Sequence, residues 1–445
     1  MSAAHAFLQR LGERFSDEPT WVTARRQAGA ARFEALGFPT KRDEAWKYTD
    51  VRRIAEGEFA LTDDAELSAS RFEALSMPLD AYRLVFVDGV FSTALSDVEA
   101  LPEGISIEPL TTAMRTNHEA IGGAIGRLAG VDFSPFTALN VALSEEGAVV
   151  RIGQGVVVDK PIYVVFASRA NEAPRMSHPR VLVMAGARSQ ATVIEHYAGE
   201  TGAANFTNVV SEVMLERGAI VDHYKLQEAS SEDLHVASIH VEQACDSRFT
   251  SFNLNLGGAL VRTDLVTDLN AQGAEANYNG LFFVQGRQHV DNHTLVNHNA
   301  PQTFSNENYK GILNDRARGV FNGKVIVKRD SQQIEAYQNN ANLLLSDRAE
   351  IDTKPELEIY ADDVKCSHGT TTGQLDEEAV FALRTRGIDE QMARGLLTLA
   401  FAGEVMDQVR LPAIAERVER AVAGKLPERF NLADLVEVSD ALQEA

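Results

Sequence analysis

The chain has 445 residues, 44% of them hydrophobic and 24% charged, a globular balance and a length beyond one ordinary core. With 64 acidic against 42 basic residues its formal net charge is −22, which argues against a nucleic-acid partner and against adhesion to anionic membranes. No stretch approaches the ~18 apolar residues of a membrane span. Two cysteines, Cys245 and Cys366, cannot build a disulfide framework, so a reducing, cytoplasmic setting is expected.

The first ten residues lack the charged start and apolar run of a signal peptide. Residues 21–36 have helical spacing, with Gly37 and Pro39 as a stop. A mixed charged and aromatic segment follows over 38–49, and residues 1–134 read as a helical and mixed N-terminal domain.

From about 140 to 365 the chain is a series of short β-rich runs, such as Ala148-Val-Val-Arg-Ile152, Ile162-Tyr-Val-Val-Phe166 and Val181-Leu-Val-Met184. Small-residue turns separate them at uneven steps: Gly186-Ala187, Gly218-Ala219, Gly258-Ala259, Gly273-Ala274. Such repetition without helical periodicity predicts a β-solenoid, each coil burying its face on the next. A sandwich or jelly roll also makes many short strands, but more than 200 residues of strand is generous for one. A βαβ fold is excluded by the missing helices between strands. The predicted β-helix core runs over 135–372.

A C-terminal helical domain is predicted over 373–445. Asp376 caps a helix that Gly387 ends, and Asp389 caps the next. Met392, Leu396, Leu399, Ala400 and Val405 form an apolar stripe on it, and a third amphipathic stretch covers 414–422. These stripes serve either the solenoid or a partner.

Two clusters carry candidate chemistry. His289, Asp291 and His293 alternate on one strand face, with His298 further on. Two imidazoles and a carboxylate suit non-haem iron or zinc, as in a cupin-like metalloenzyme. Plentiful asparagines around them favour a polar ladder along the solenoid instead. Cys366 and His368, two apart, share a strand face and can bring a thiolate and an imidazole to one point. Those are ligand types for zinc or iron–sulfur species. A Cys–His nucleophilic dyad is weakly supported, since no third group orients it. Neither a G-x-x-x-x-G-K-[ST] loop nor a G-x-G-x-x-G helix start is present, so no nucleotide of the chain's own is expected.

Several ordered segments together resemble the SufB/SufD family of iron–sulfur cluster assembly scaffolds. They are Pro39-Thr-Lys-Arg-Asp-Glu-Ala-Trp-Lys-Tyr48, Asp291-Asn-His-Thr-Leu-Val-Asn-His298, Asn308-Tyr-Lys-Gly-Ile-Leu313, Gly319-Val-Phe-Asn-Gly-Lys324, Gln338-Asn-Asn-Ala-Asn-Leu-Leu-Leu345 and 354–369 through Cys366-Ser-His-Gly369. Gly373-Gln-Leu-Asp-Glu-Glu378 and Leu383-Arg-Thr-Arg-Gly-Ile388 close the match. Within the family the chain is more similar to the SufD branch, being shorter and poor in cysteine. The resemblance implies a right-handed parallel β-helix between helical ends. It implies a scaffold rather than an enzyme, paired with a SufB-like subunit and with a SufC-like ATPase that the C-terminal helices would dock. It implies a nascent iron–sulfur cluster shared across the SufB–SufD interface, with His368 as this chain's metal ligand and Cys366 in the same motif. A purely structural partner of SufB is the alternative, and a homodimer of the isolated chain is a further expectation. Cys245, in a turn position like Gly218-Ala219, reads as a structural thiol.

Overall fold

The computed structural model describes residues 3–9, 18–98, 100–116 and 118–426. From Arg180 onward, successive strands alternate between two sheets, so a strand returns to its own sheet one layer further on. The first sheet stacks Gln190–Gly199, Ile220–Glu228, Arg248–Asn255, Glu275–Val284, Phe304–Leu313, Ile334–Leu344 and Val364–Gly373, all parallel. The second stacks Arg180–Ala185, Phe206–Leu215, Leu234–Gln243, Leu260–Leu269, His289–His298, Arg318–Val327 and Glu350–Ile359, also parallel. One coil takes about 29 residues, inside the range of solenoid repeats. The fold is therefore a parallel β-helix, as the strand pattern predicts. Its sheets begin before residue 135: Tyr82–Val87 pairs with Ile162–Ser168, and Ile105–Pro109 pairs antiparallel with Gly147–Ile152.

Strand alternation sends one set of side chains into the lumen and the other outward. Val164, Val193, Val221, Phe249 and Ala276 face Val183, Val213, Val241 and Leu265 in one interior core. Each such aliphatic or aromatic burial contributes about 1.5–3 kcal/mol.

The coils are more regular than the turns suggest. At one corner a residue of each coil sits in the left-handed region: Arg188, Gly218, Asp246, Gly273, Gln302 and Gln333, with φ between 56° and 75°. Their amides donate to carbonyls of the next coil (Gly218 to Cys245, Asp246 to Gln272, Gln333 to Asp363 among them) over 2.6–3.1 Å, forming a corner spine. Glycine is the residue that takes this conformation at no steric cost, yet it marks only two of the six corners. The opposite corner, with Gly258 and Gly286 at φ 79° and 65°, interleaves with it. Merging two half-marked corners makes the turn spacing look irregular.

Helices cover the outer faces. Thr20–Leu36, ended by Gly37 at φ 71°, and Pro135–Leu143 cover Phe206, Leu234, Val236 and Leu260 of the second sheet. The first sheet's outer Tyr224, Leu226, Phe252, Leu254 and Phe283 lie under Val405, Met406, Ile414, Val418 and Val422. Those belong to Glu390–Met406 and Pro412–Ala423. The apolar stripes of the C-terminal helices are thus spent largely on the solenoid's flank.

Candidate functional site

His289, Asp291 and His293 do meet, on the outer face of the second sheet. The buried Asp291 lies 2.9 Å from His293 Nε2, and its Oδ2 accepts from Thr49 Oγ1 at 2.5 Å. Thr49 also bonds His289 Nε2 at 2.9 Å. The same Oδ2 is held at 2.7 Å by Arg262 Nη1, whose side chain is 2% exposed. Burial alone would raise the Asp291 carboxyl; Arg262, then His293, hold it well below the usual carboxylate range. Burial pushes the His289 imidazole down. A metal ion here would have to displace a guanidinium that never gives up its charge. The metalloenzyme expectation on His289, Asp291 and His293 is overturned for this reason. Among the described residues no group of three or more His, Cys, Asp or Glu is arranged to hold a metal. His298 points into the lumen, bonded to Thr303 and Ser305 and pushed down to about 4 by burial.

Cys366 and His368 lie on Val364–Gly373, the last strand of the first sheet. Among the described residues this strand pairs only with Ile334–Leu344, and Glu350–Ile359 ends the second sheet in the same way. Among the described residues the solenoid is open here, with no strand paired to the outer edge of either sheet. Cys366 extends the inner column Phe249, Ala276, Ser305, Ala336, and His368 extends the column Ser251, Tyr278, Glu307, Gln338. The two side chains thus share the inward face of the last coil, as period two requires. They differ in access. Cys366 packs against the end of the interior core, and burial pushes its thiol up. His368 is exposed, like every residue from Ser367 to Gly373.

Cys245 lies in the corner spine, its thiol 3.2 Å from Asp246 Oδ2; that hydrogen bond pushes its pKa up. The helix Glu377–Arg384 leaves Phe381 66% exposed. Two residues central to these sites carried no role in the sequence reading. Arg262 lies outside the polar run around His289. Gln338 was one residue of a matching segment, and only the coil register puts it beside His368.

Fold and site together define a parallel β-solenoid protein with an open terminal coil that presents metal-type donors. Residues 166–401 match the family model for the SUF system FeS cluster assembly SufBD core domain, and residues 7–164 match the SufBD protein N-terminal region. The chain belongs to the SufB/SufD family. An iron–sulfur cluster assembly SufBD family protein of Synechocystis is 34% identical over 91% of both chains. The iron–sulfur cluster assembly protein SufD of Escherichia coli is 31% identical, over 94% of this chain and 97% of its own. A chloroplastic protein of Arabidopsis thaliana is 26% identical over 90% of this chain and 85% of its own. The role of the chain thus lies in SUF-type iron–sulfur cluster assembly. No described helix is long and apolar enough to cross a membrane.

Proposed function

We propose that the chain is a non-catalytic scaffold subunit that pairs through its open end with a SufB-like subunit. A nascent iron–sulfur cluster is the cargo built between them, and His368 is this chain's ligand to it. One observation carries the reading: an exposed imidazole and a half-buried thiol share the inward face of a terminal strand that, among the described residues, is paired along one edge only. Two donors do not complete a metal site, so the remaining ligands come from the partner. Imidazole is a borderline ligand that accepts iron, and His368 is the more accessible donor, which favours it over Cys366.

The chain has no phosphate loop, so the ATPase activity belongs to a SufC-like partner docked by the C-terminal helices, with the exposed Phe381 as its contact. Free thiols on both cysteines suit a cytoplasmic setting. The division at 134 and 372 stays part of the reading, with the first segment lending strands to both sheets.

His368→Ala tests the proposal in the co-expressed complex. The complex should assemble, with its iron and sulfide content reduced, and Cys366→Ala should do less. A stably assembled His368→Ala complex with normal cluster yield would refute the ligand assignment and favour a purely structural partner.

A further inference from the structure

Beneath His368 lies a buried amide with one unsatisfied end. Gln338, its register partner one coil back, is 4% exposed. Its Nε2 donates to Glu307 Oε1 at 3.1 Å, and Glu307 is the next member of the same column. Glu307 is fixed in turn by Thr294, whose Oγ1 donates to Oε2 at 2.5 Å. Burial raises the Glu307 carboxyl to about 7, so above that pH it is ionised and the amide orientation of Gln338 is decided, because a carboxylate can receive the NH2 group but not a carbonyl. Nitrogen and oxygen diverge from one carbon, so Oε1 is the end of the amide left free of Glu307, and Gln338 has one other register neighbour in the column. That neighbour is His368. Gln338 Oε1 is buried and has no hydrogen-bond partner in the described structure. Leaving a buried acceptor unpaired is costly, so a donor beside it is favoured.

We propose that Gln338 is the positioning residue of His368: its Oε1 accepts one imidazole N–H, which fixes the ring and leaves the other nitrogen bare and directed to the open end. A metal-binding histidine commonly has its second nitrogen held in this way by an acceptor behind it. The chain Thr294–Glu307–Gln338–His368 thus ties an exposed ligand to the rigid interior of the solenoid. The inference rests on the reading of His368 as a cluster ligand only for its purpose; the contact itself can be tested in the isolated chain.

The test is imidazole 15N NMR of the full-length chain with 15N-labelled histidine, His368 being assigned by its loss in His368→Ala. Spectra are taken near pH 9, above the ordinary imidazole range of about 6.5. One tautomer of His368 should dominate by about tenfold, the effect of one net hydrogen bond. In Gln338→Met, matched in length and lacking the acceptor, the ratio should fall to that of a histidine in a mobile peptide. Mixed tautomers in the unaltered chain, or an unchanged ratio in Gln338→Met, would overturn the proposal. The unaltered chain decides the matter even where the variant fails to fold. Normal cluster yield in His368→Ala would strike the ligand reading alone and leave the tautomer result standing.

Discussion

The guanidinium carbon of Arg262 stands 3.9 Å from the centre of the Trp46 ring. A cation over an indole face contributes about 0.5–2 kcal/mol, the higher end where it is desolvated as here. The same group donates to the Ala45 carbonyl and binds Asp264 and Asp291. It therefore fastens the segment around Trp46 to the outer face of the second sheet.

Removing Arg262 should leave two carboxylates without their cation, one of them buried. Arg262→Met is expected to destabilise the chain by about 3–5 kcal/mol in urea unfolding, the cost of breaking a buried pair. A loss below about 1 kcal/mol would mean that Asp291 finds another partner on the surface.

Asp291 also sets an acid dependence. Its folded pKa is depressed, so its contribution is complete above the unfolded value of about 4 and is lost as pH falls toward the folded one. Asp291→Asn should be less stable at neutral pH and lose less stability below about pH 4 than the unaltered chain. Parallel acid limbs for the two proteins would contradict this.

Lys225 gives the opposite dependence. Its ammonium is wholly buried in the lumen, with no hydrogen-bond partner for Nζ, and burial pushes its pKa down to about 7 despite the nearby Glu195. Between pH 7 and the unfolded value of about 10 the unfolded chain binds the extra proton, so stability should rise with pH there. Lys225→Met should flatten that rise by up to about 1.4 kcal/mol per pH unit. Denaturant midpoints measured from pH 7 to 10 give the slopes, and equal slopes would place Lys225 in water.

Gly280 faces Tyr309 in register on the next coil. A Cβ at Gly280 would lie 2.1 Å from the Tyr309 ring, which is fully buried. Gly280→Ala should cost about 1–3 kcal/mol by overpacking. A thermal midpoint equal to that of the unaltered chain would show that the ring can move aside.

Phe381 allows the docking proposal to be tested without stripping the flank. Deleting the C-terminal helices would uncover Tyr224, Phe252 and Phe283, so loss of binding would be confounded with aggregation. Phe381→Ser, at a side chain 66% exposed, should alter stability by no more than about 0.5 kcal/mol. It should nonetheless abolish co-purification with the ATPase. Undiminished recovery of the ATPase would move the docking surface elsewhere.

Short-range features were legible from the sequence because their causes are short-range. Asp376 and Asp389 cap amides two or three residues ahead, at 2.9–3.2 Å. Gly37 ends its helix through an amide bonded four residues back, to Phe33. The shared face of Cys366 and His368 follows from the pleat alone. What lies on either side of a strand was decided by coil length and packing. Arg188, Gln302 and Gln333 take left-handed corners because the spine of the solenoid holds them there, and no local signal marks such residues. Thr49 meets Asp291 across 242 positions of sequence, and with Arg262 it turns a metal-like His–Asp–His pattern into a closed ion-pair network. Residues two apart on a strand determine which donors can act together. Only the stacking of coils decides which of them is neutralised from outside, as Asp291 is, and which stays open at the end, as His368 does.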